Sequence, residues 1–222
     1  ILENEIKDAS ESFLQIYSNE VANQISEMDG LLMNITSRKV DLAKIKSHDS
    51  NERTMASISL YNYMQELLSG KEVNIDILVV YDKSYDICLD AIRNGFNFNK
   101  KIKLREFTGD AIENKEIESF EWDFLELGNE TYLYKMLLSG NRAIAIYIGT
   151  GRFLSEHSTE DGGNHSIALV NKDGIIGRVW GTVTDDIDEG LNIKDISAGS
   201  YYQAKKEIVP DQLYIYSFAK KN

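Results

Sequence analysis

Over the first 37 residues apolar side chains recur at every seventh position, at Leu14, Val21, Met28 and Ile35, with Tyr17 and Leu31 in a second register. This spacing predicts one long amphipathic helix over 1–37, about 55 Å from end to end at 1.5 Å per residue. Ile25 and Leu32 widen the stripe, and Gln24 interrupts it, so it is broader than a strict two-stranded seam. Two uses fit it: pairing two copies of the chain, or packing on the chain's own second helix and sheet. The C-terminal half suits internal packing, and Ile6 to Tyr17 suits dimer contacts. A short helical turn follows at Lys39 to Lys46, then a His48-Asp49-Ser50-Asn51 loop. Met55, Ile58, Tyr61, Met64 and Leu68 next predict a second helix, capped by Ser50 or Asn51 and ended by Ser69-Gly70.

The period then changes from about 3.6 to 2. Ile75, Ile77 and Val79 alternate with Asp76, Leu78 and Val80, and Ile87 to Ile92 forms a second apolar run. The pair predicts a hairpin turning at Asp82 to Ser84. A polar insert over 93–120 contains one predicted helix, Asp110 to Ser119. Trp122–Leu127, Thr131–Leu138 and Arg142–Ile148 then form a meander, separated by Gly128-Asn129 and Ser139-Gly140-Asn141. Two strands, a helical insert and a three-strand meander is the order of a PAS-like sheet. The first strand is then central, beside the last, and a pocket lies between insert and sheet.

The second half repeats this plan in shorter form. Gly151 to His157 predicts a linking helix and Thr159 to Asn164 a Gly-rich loop. A hairpin of Ile167–Val170 and Ile175–Trp180 turns at Asn171-Lys172-Asp173-Gly174. After another insert over 181–199, Tyr201–Val209 and Leu213–Phe218 flank Pro210-Asp211 in a final hairpin. The chain's one proline thus falls in a turn. The expected fold class is α+β: a stalk helix over 1–37, a PAS-like domain over 38–149, and a smaller PAS-like domain over 150–222.

A net charge of −12 argues against a nucleic-acid partner, which would need clustered Lys and Arg, and against docking on an anionic membrane surface. The single cysteine, Cys88, permits no intrachain disulfide; among Tyr85, Ile87 and Leu89 it reads as a small buried hydrophobe. The best apolar run, Ala143 to Ile148, is far too short to span a bilayer. The chain opens mid-helix at Ile1 and stops just after a strand. It therefore reads as a segment of a longer protein, flanked by transmembrane helices if both ends lie at membrane boundaries.

No nucleophile elbow, phosphate loop or dinucleotide fingerprint occurs, and nothing selects one carboxylate pair for acid–base work; an enzyme is not expected. Gly149-Thr150-Gly151-Arg152 reads as a hinge. His157 and His165 flank the Gly-rich loop with Glu156, Glu160 and Asp161, but their spacing matches no standard metal site. Asp185 to Glu189 lacks the ligand pattern of a calcium loop. No metal and no cofactor are expected. Tyr81, Tyr85, Trp122, Tyr132 and Tyr134 lie on or beside the first set of strands. Their rings combine an apolar face with a polar tip, which suits either a small-ligand pocket or the core. Arg105 and Arg142 are the candidate partners for an anionic group.

This layout resembles the dCache family of double PAS-like extracellular sensors, and more narrowly the ectodomain of a YesM-type sensor histidine kinase. The resemblance covers nearly the whole chain. It rests on the N-terminal helix, Glu52-Arg53 opening the second helix, Ile75 to Asp82, Arg142 to Gly149 leading into Phe153-Leu154, Ile167 to Gly174, and the Tyr201 to Phe218 hairpin. It implies an extracellular part of a bacterial membrane protein, homodimeric in the full-length receptor, with a small-molecule pocket in a membrane-distal domain. Ligand binding would shift that domain against the long helix, which would pass the signal to a kinase. A chemotaxis receptor, a cyclic-dinucleotide enzyme or a surface-anchored binding protein could carry the same module. Amino-acid-binding members have an Arg, Trp, Tyr and Asp constellation in and after the insert, whereas here the region reads Phe96-Asn97-Phe98-Asn99-Lys100 through Arg105-Glu106-Phe107. An amino-acid ligand is therefore doubtful, which leaves a sugar, an organic acid, a peptide or no ligand at all.

Overall fold

A computed structural model describes residues 2–70, 74–114, 116–154, 165–181, 186–197 and 199–221. Helix α1 (Leu2–Ser37) has the length its heptad stripe predicts. Leu14, Tyr17, Val21, Ile25, Met28, Leu32 and Ile35 are buried, a spacing of three and four that keeps one face turned inward. The chain itself therefore covers this stripe, while Ile16, off it, is 60% exposed.

A short helix α2 (Lys39–Lys44) leads to α3 (Ser50–Ser69). Two local expectations about α3 are corrected. Its cap is Asp49, in extended backbone, whose carboxylate accepts from the main-chain N of Asn51 at 2.8 Å. Its buried face is Ala56, Leu60 and Met64, while Met55, Ile58 and Tyr61 are exposed. A small residue such as Ala56 lets a helix backbone come close to its neighbour, a packing cue that a search for large apolar residues passes over.

The chain divides into two compact units, one of residues 26–121 and 134–148, the other of 1–25, 122–133 and 149–222. Strands β1 (Ile77–Asp82), β2 (Ile87–Ile92), β3 (Trp122–Leu127), β4 (Glu130–Ser139) and β5 (Arg142–Gly149) form an antiparallel sheet in the order β2-β1-β5-β4-β3. The first strand is interior and lies beside the last of the meander, as the sequence predicts. β1 carries Ile77, Leu78, Val79 and Val80 fully buried, the continuous apolar run of a strand covered on both faces. Helix α4 packs on β1, and α3 packs on β2.

Helix α4 lies at Phe98–Ala111, not at the expected Asp110 to Ser119. Asn97 caps it by accepting from the main-chain N of Asn99 at 2.9 Å and of Lys100 at 3.2 Å. The buried face is Leu104, Thr108, Gly109 and Ala111, so small and weakly apolar that its period is faint in the sequence. At Ile112 the helix gives way to turns.

The second sheet runs β7-β6-β9-β8, from β6 (His165–Asn171), β7 (Ile176–Gly181), β8 (Tyr201–Val209) and β9 (Leu213–Lys220). The Asn171–Gly174 turn forms as expected: Asn171 Oδ1 accepts from the main-chain N of Asp173 and Ile175, and Gly174 takes φ +81°. Ala168, Val170, Ile176, Ile187, Ile196, Tyr201 and Phe218 make up its core. A 3-10 turn occupies Thr150–Arg152. Phe153 and Leu154 follow it, buried and outside any helix; residues 155–157 of the expected linking helix, the Thr159 to Asn164 loop and Asp185 lie outside the described residues.

Candidate functional site

Within the unit of residues 26–121 and 134–148, the β1–β2 hairpin and α4 enclose an open cleft of about 450 Å³. The hairpin supplies Tyr81, Lys83, Asp86 and Cys88, and α4 supplies Ile102, Arg105, Glu106, Gly109 and Asp110. Both contributions follow from periodicity. Tyr81 pairs with Cys88, and Val79 with Asp90, so alternation puts all four side chains on one face of the ribbon. On α4 the lining residues fall at steps of three and four, one stripe of the helix. The stripe comes close to the hairpin at Gly109, where a Cβ would stand 3.4 Å from the Tyr81 ring, at van der Waals contact.

The two cations that line the cleft are paired with carboxylates beside it. Asp90, its side chain only 11% exposed, forms ion pairs with Arg105 Nε at 3.0 Å and Lys101 Nζ at 3.3 Å. The same Arg105 Nε lies 3.3 Å from Cys88 Sγ. One edge of the guanidinium is thus held against β2, and its two Nη atoms take no part in these contacts. Lys83 Nζ pairs with Glu113 at 2.7 Å, which holds that carboxyl below its usual range. Tyr81 donates its hydroxyl to Asp86 Oδ1 at 2.5 Å. That bond to a carboxylate, aided by burial, pushes the phenol up to about 12, so Tyr81 remains a neutral donor. Burial likewise raises the Cys88 thiol despite Arg105 beside it. Cys88 is thus a protonated, half-buried wall of the cleft rather than the core hydrophobe expected.

Behind the cleft α4 seals onto the sheet. Thr108 donates to the Leu104 carbonyl at 2.7 Å. Its oxygen lies 2.6 Å from the Tyr147 hydroxyl, which must then be the donor. Phe107 meets the Tyr134 ring edge-on at 5.3 Å, and Tyr134 leans on Tyr147 at 5.9 Å. Side chains of the chain itself fill the space between helix and strands here.

Of the seven residues picked out from sequence, Tyr81 and Arg105 line the cleft. Tyr134 belongs to the aromatic layer behind it. Tyr85 sits at the hairpin turn, its hydroxyl 2.8 Å from His48 Nδ1 and its ring under the Arg53 guanidinium. Arg142 is tied to Asp82 at 3.0 Å and to the Leu42 carbonyl. Trp122 and Tyr132 are buried in the other unit, where Trp122 N donates to Gln212 and Tyr132 donates to Glu130. Sequence reasoning passed over Lys83, Asp86, Cys88, Ile102, Glu106, Gly109 and Asp110 of the lining, and Asp90 and Lys101 beside it. The usable signals were the strand register that sets Cys88 opposite Tyr81 and the Asn97 cap that starts α4. Among the described residues no group of three His, Cys, Asp or Glu side chains is placed to hold a metal; His157, Glu156, Glu160 and Asp161 lie outside them. Among the same residues no helix is long and apolar enough to cross a membrane.

No protein-family model and no curated protein sequence matches the chain. Solved structures do match its fold. The sensor domain of the Vibrio cholerae histidine kinase DctB superposes with a TM-score of 0.56 at 9% identity, covering 100% of both chains. The sensory domain of the Campylobacter jejuni chemoreceptor Tlp3 with isoleucine bound gives 0.55 at 9% identity, over 98% of this chain and 94% of that one. The ligand-binding domain of the Pseudomonas aeruginosa amino-acid chemoreceptor PctB, in complex with L-Arg, gives 0.51 at 16% identity, over 98% and 88%. These matches overturn the expectation that an amino acid is a doubtful ligand, since proteins of this fold hold isoleucine and arginine. That expectation rested on one residue constellation not being found in and after the insert, and the lack of a motif in a sequence does not exclude a class of ligand. The chain has the α+β fold of these sensory and ligand-binding domains, as the resemblance to double PAS-like sensors implies.

Proposed function

We propose that this chain is the extracellular ligand-sensing domain of a bacterial transmembrane sensor histidine kinase, with an amino acid bound in the cleft between the β1–β2 hairpin and α4. In this reading residues 38–149 are the ligand-binding domain and 150–222 the domain next to the membrane. The observation that carries the proposal is Arg105. Its Nε edge is locked by Asp90 and Cys88, so the guanidinium is oriented before any ligand arrives. Its Nη pair can take a carboxylate in a two-point, charge-assisted contact. Asp86, bonded to Tyr81, supplies the acceptor for an ammonium group. A zwitterion needs both poles.

The chain performs no chemistry in this role. It binds, and the bound arrangement is favoured over the unbound one by the difference in affinity between them. The test is the melting temperature of the chain against a panel of amino acids, for wild type and Arg105→Ala. A ligand at 100 times its Kd adds about 2.7 kcal/mol, which is about 5–11 °C at 2–4 °C per kcal/mol for a chain of this size. The expected result is a shift in wild type that Arg105→Ala abolishes. A panel with no shift, or a shift that survives Arg105→Ala, overturns the proposal.

A further inference from the structure

Resting on the amino-acid reading of the cleft, we infer that its preferred ligand carries a second positive charge: a basic amino acid whose side-chain cation is held by Glu106 and Asp110. The two cations of the lining are already engaged, Lys83 by Glu113 and Arg105 by Asp90. The lining carboxylates are not balanced in the same way. Asp86 receives only a neutral phenol, and Glu106 and Asp110 bring two further negative charges to the same wall.

The placement of Glu106 and Asp110 is unfavourable for the helix that carries them. They stand four apart on α4, where like charges repel across one turn. Asp110 also lies in the last turn of Phe98–Ala111, the end at which the helix dipole disfavours a carboxylate. A folding helix gains nothing from this pair, whereas a cation bound between them relieves both penalties. The spacing suits the ligand as well. At 1.5 Å of rise per residue, Asp110 lies about 7.5 Å along the axis from Arg105. That is the reach of a four-carbon side chain whose α-carboxylate is bound at Arg105. Ile102 and the Tyr81 ring offer apolar surface for the methylenes between.

The experiment is calorimetric titration of the full chain with L-lysine, L-norleucine and 1,5-diaminopentane. Norleucine keeps the carboxylate, the α-ammonium and the four-carbon chain but lacks the terminal charge; the diamine lacks the carboxylate. Lysine is expected to bind about tenfold or more tightly than norleucine, several-fold for each exposed carboxylate, with the diamine weaker than lysine. The lysine preference should shrink toward unity in Glu106→Gln/Asp110→Asn, and it should fall as salt is raised. Norleucine binding as tightly as lysine overturns this inference and leaves the amino-acid reading standing. The diamine matching lysine overturns both, whereas none of the three binding overturns this inference and leaves the amino-acid reading to the panel of melting temperatures. A lysine preference that persists in the double variant removes Glu106 and Asp110 from the role.

Discussion

Tyr147 and Thr108 share a buried hydrogen bond of 2.6 Å that joins the central strand β5 to the last turn of α4. Thr108 is fully buried, as is Tyr147, and burial pushes the Tyr147 phenol above its ordinary range. The bond is directional: Thr108 gives its proton to Leu104, so Tyr147 donates and Thr108 accepts. The two halves of the pair should therefore respond differently to substitution. Tyr147→Phe removes a donor and leaves an oxygen that still donates to Leu104, at a cost of about 1 kcal/mol. Thr108→Val strands a buried phenol hydroxyl, which costs about 1–3 kcal/mol. Thermal melts should place Thr108→Val below Tyr147→Phe, with the double variant above the sum of the two losses. Equal and additive losses would mean that the bond contributes nothing.

The Tyr81–Asp86 bond predicts a pH signature. Tyr81 ionises at about 12 in the folded chain, above the unfolded tyrosine value near 10. A group with a raised folded pKa contributes its stability fully below the unfolded pKa and loses it as pH rises, here between pH 10 and about 12. The ultraviolet difference spectrum between wild type and Tyr81→Phe should thus titrate near 12. In Asp86→Asn, which lacks the carboxylate, the same difference should move down toward 10. A wild-type midpoint near 10 would show that the bond does not form.

The elements legible in the sequence are those whose signal is local and strong. The α1 stripe runs through about six turns of buried large residues, and Asn171 to Gly174 encodes its turn in side-chain hydrogen bonds and one left-handed glycine. Helix α4 was misplaced because its inner face is Leu104, Thr108, Gly109 and Ala111. Thr108 there satisfies its hydroxyl within the fold, and Gly109 packs near the Tyr81 ring; neither looks apolar in sequence. The cleft was half legible for the same reason. Tyr81 and Arg105 stand out by chemistry, but Asp86, Asp90 and Cys88 become site residues only once the β1–β2 register and the Asn97 cap of α4 are recognised.

Arg142 and Asp82 form an ion pair at the end of β1, with both Nε and Nη2 of the arginine on Asp82 Oδ2 at 3.1 and 3.0 Å. The Asp82 side chain is 3% exposed and that of Arg142 16%. Arg142 also donates to the Leu42 carbonyl. Removing one partner of such a pair leaves the other charged and buried, at about 3–5 kcal/mol. Arg142→Met and Asp82→Ala should each lower the melting temperature by about 6–20 °C. In a double-mutant cycle the second substitution should cost less than the first, because the stranded charge is then gone. Single variants that melt with wild type would make the pair a surface ornament.

Gly177 in β7 faces the Phe124 ring of β3 so closely that a Cβ at 177 would penetrate it. Both residues lie in the same unit, and Gly177's main-chain oxygen also approaches the Thr150 hydroxyl at 3.4 Å. The ring cannot simply swing aside, because the strand beneath it is pinned: Asp123 accepts from Asn171 at 2.9 Å, and Trp122 N donates to Gln212 at 2.9 Å. Gly177→Ala should therefore act as an overpacking substitution, costing about 1–3 kcal/mol, or a fall of roughly 2–12 °C in melting temperature at this chain length. Phe124→Leu trims the ring that causes the clash. The variant carrying both changes should melt above Gly177→Ala alone, and that rescue distinguishes a steric cause from a backbone one. If Gly177→Ala is destabilised and Phe124→Leu restores nothing, the need for glycine at 177 lies in strand conformation and not in the ring.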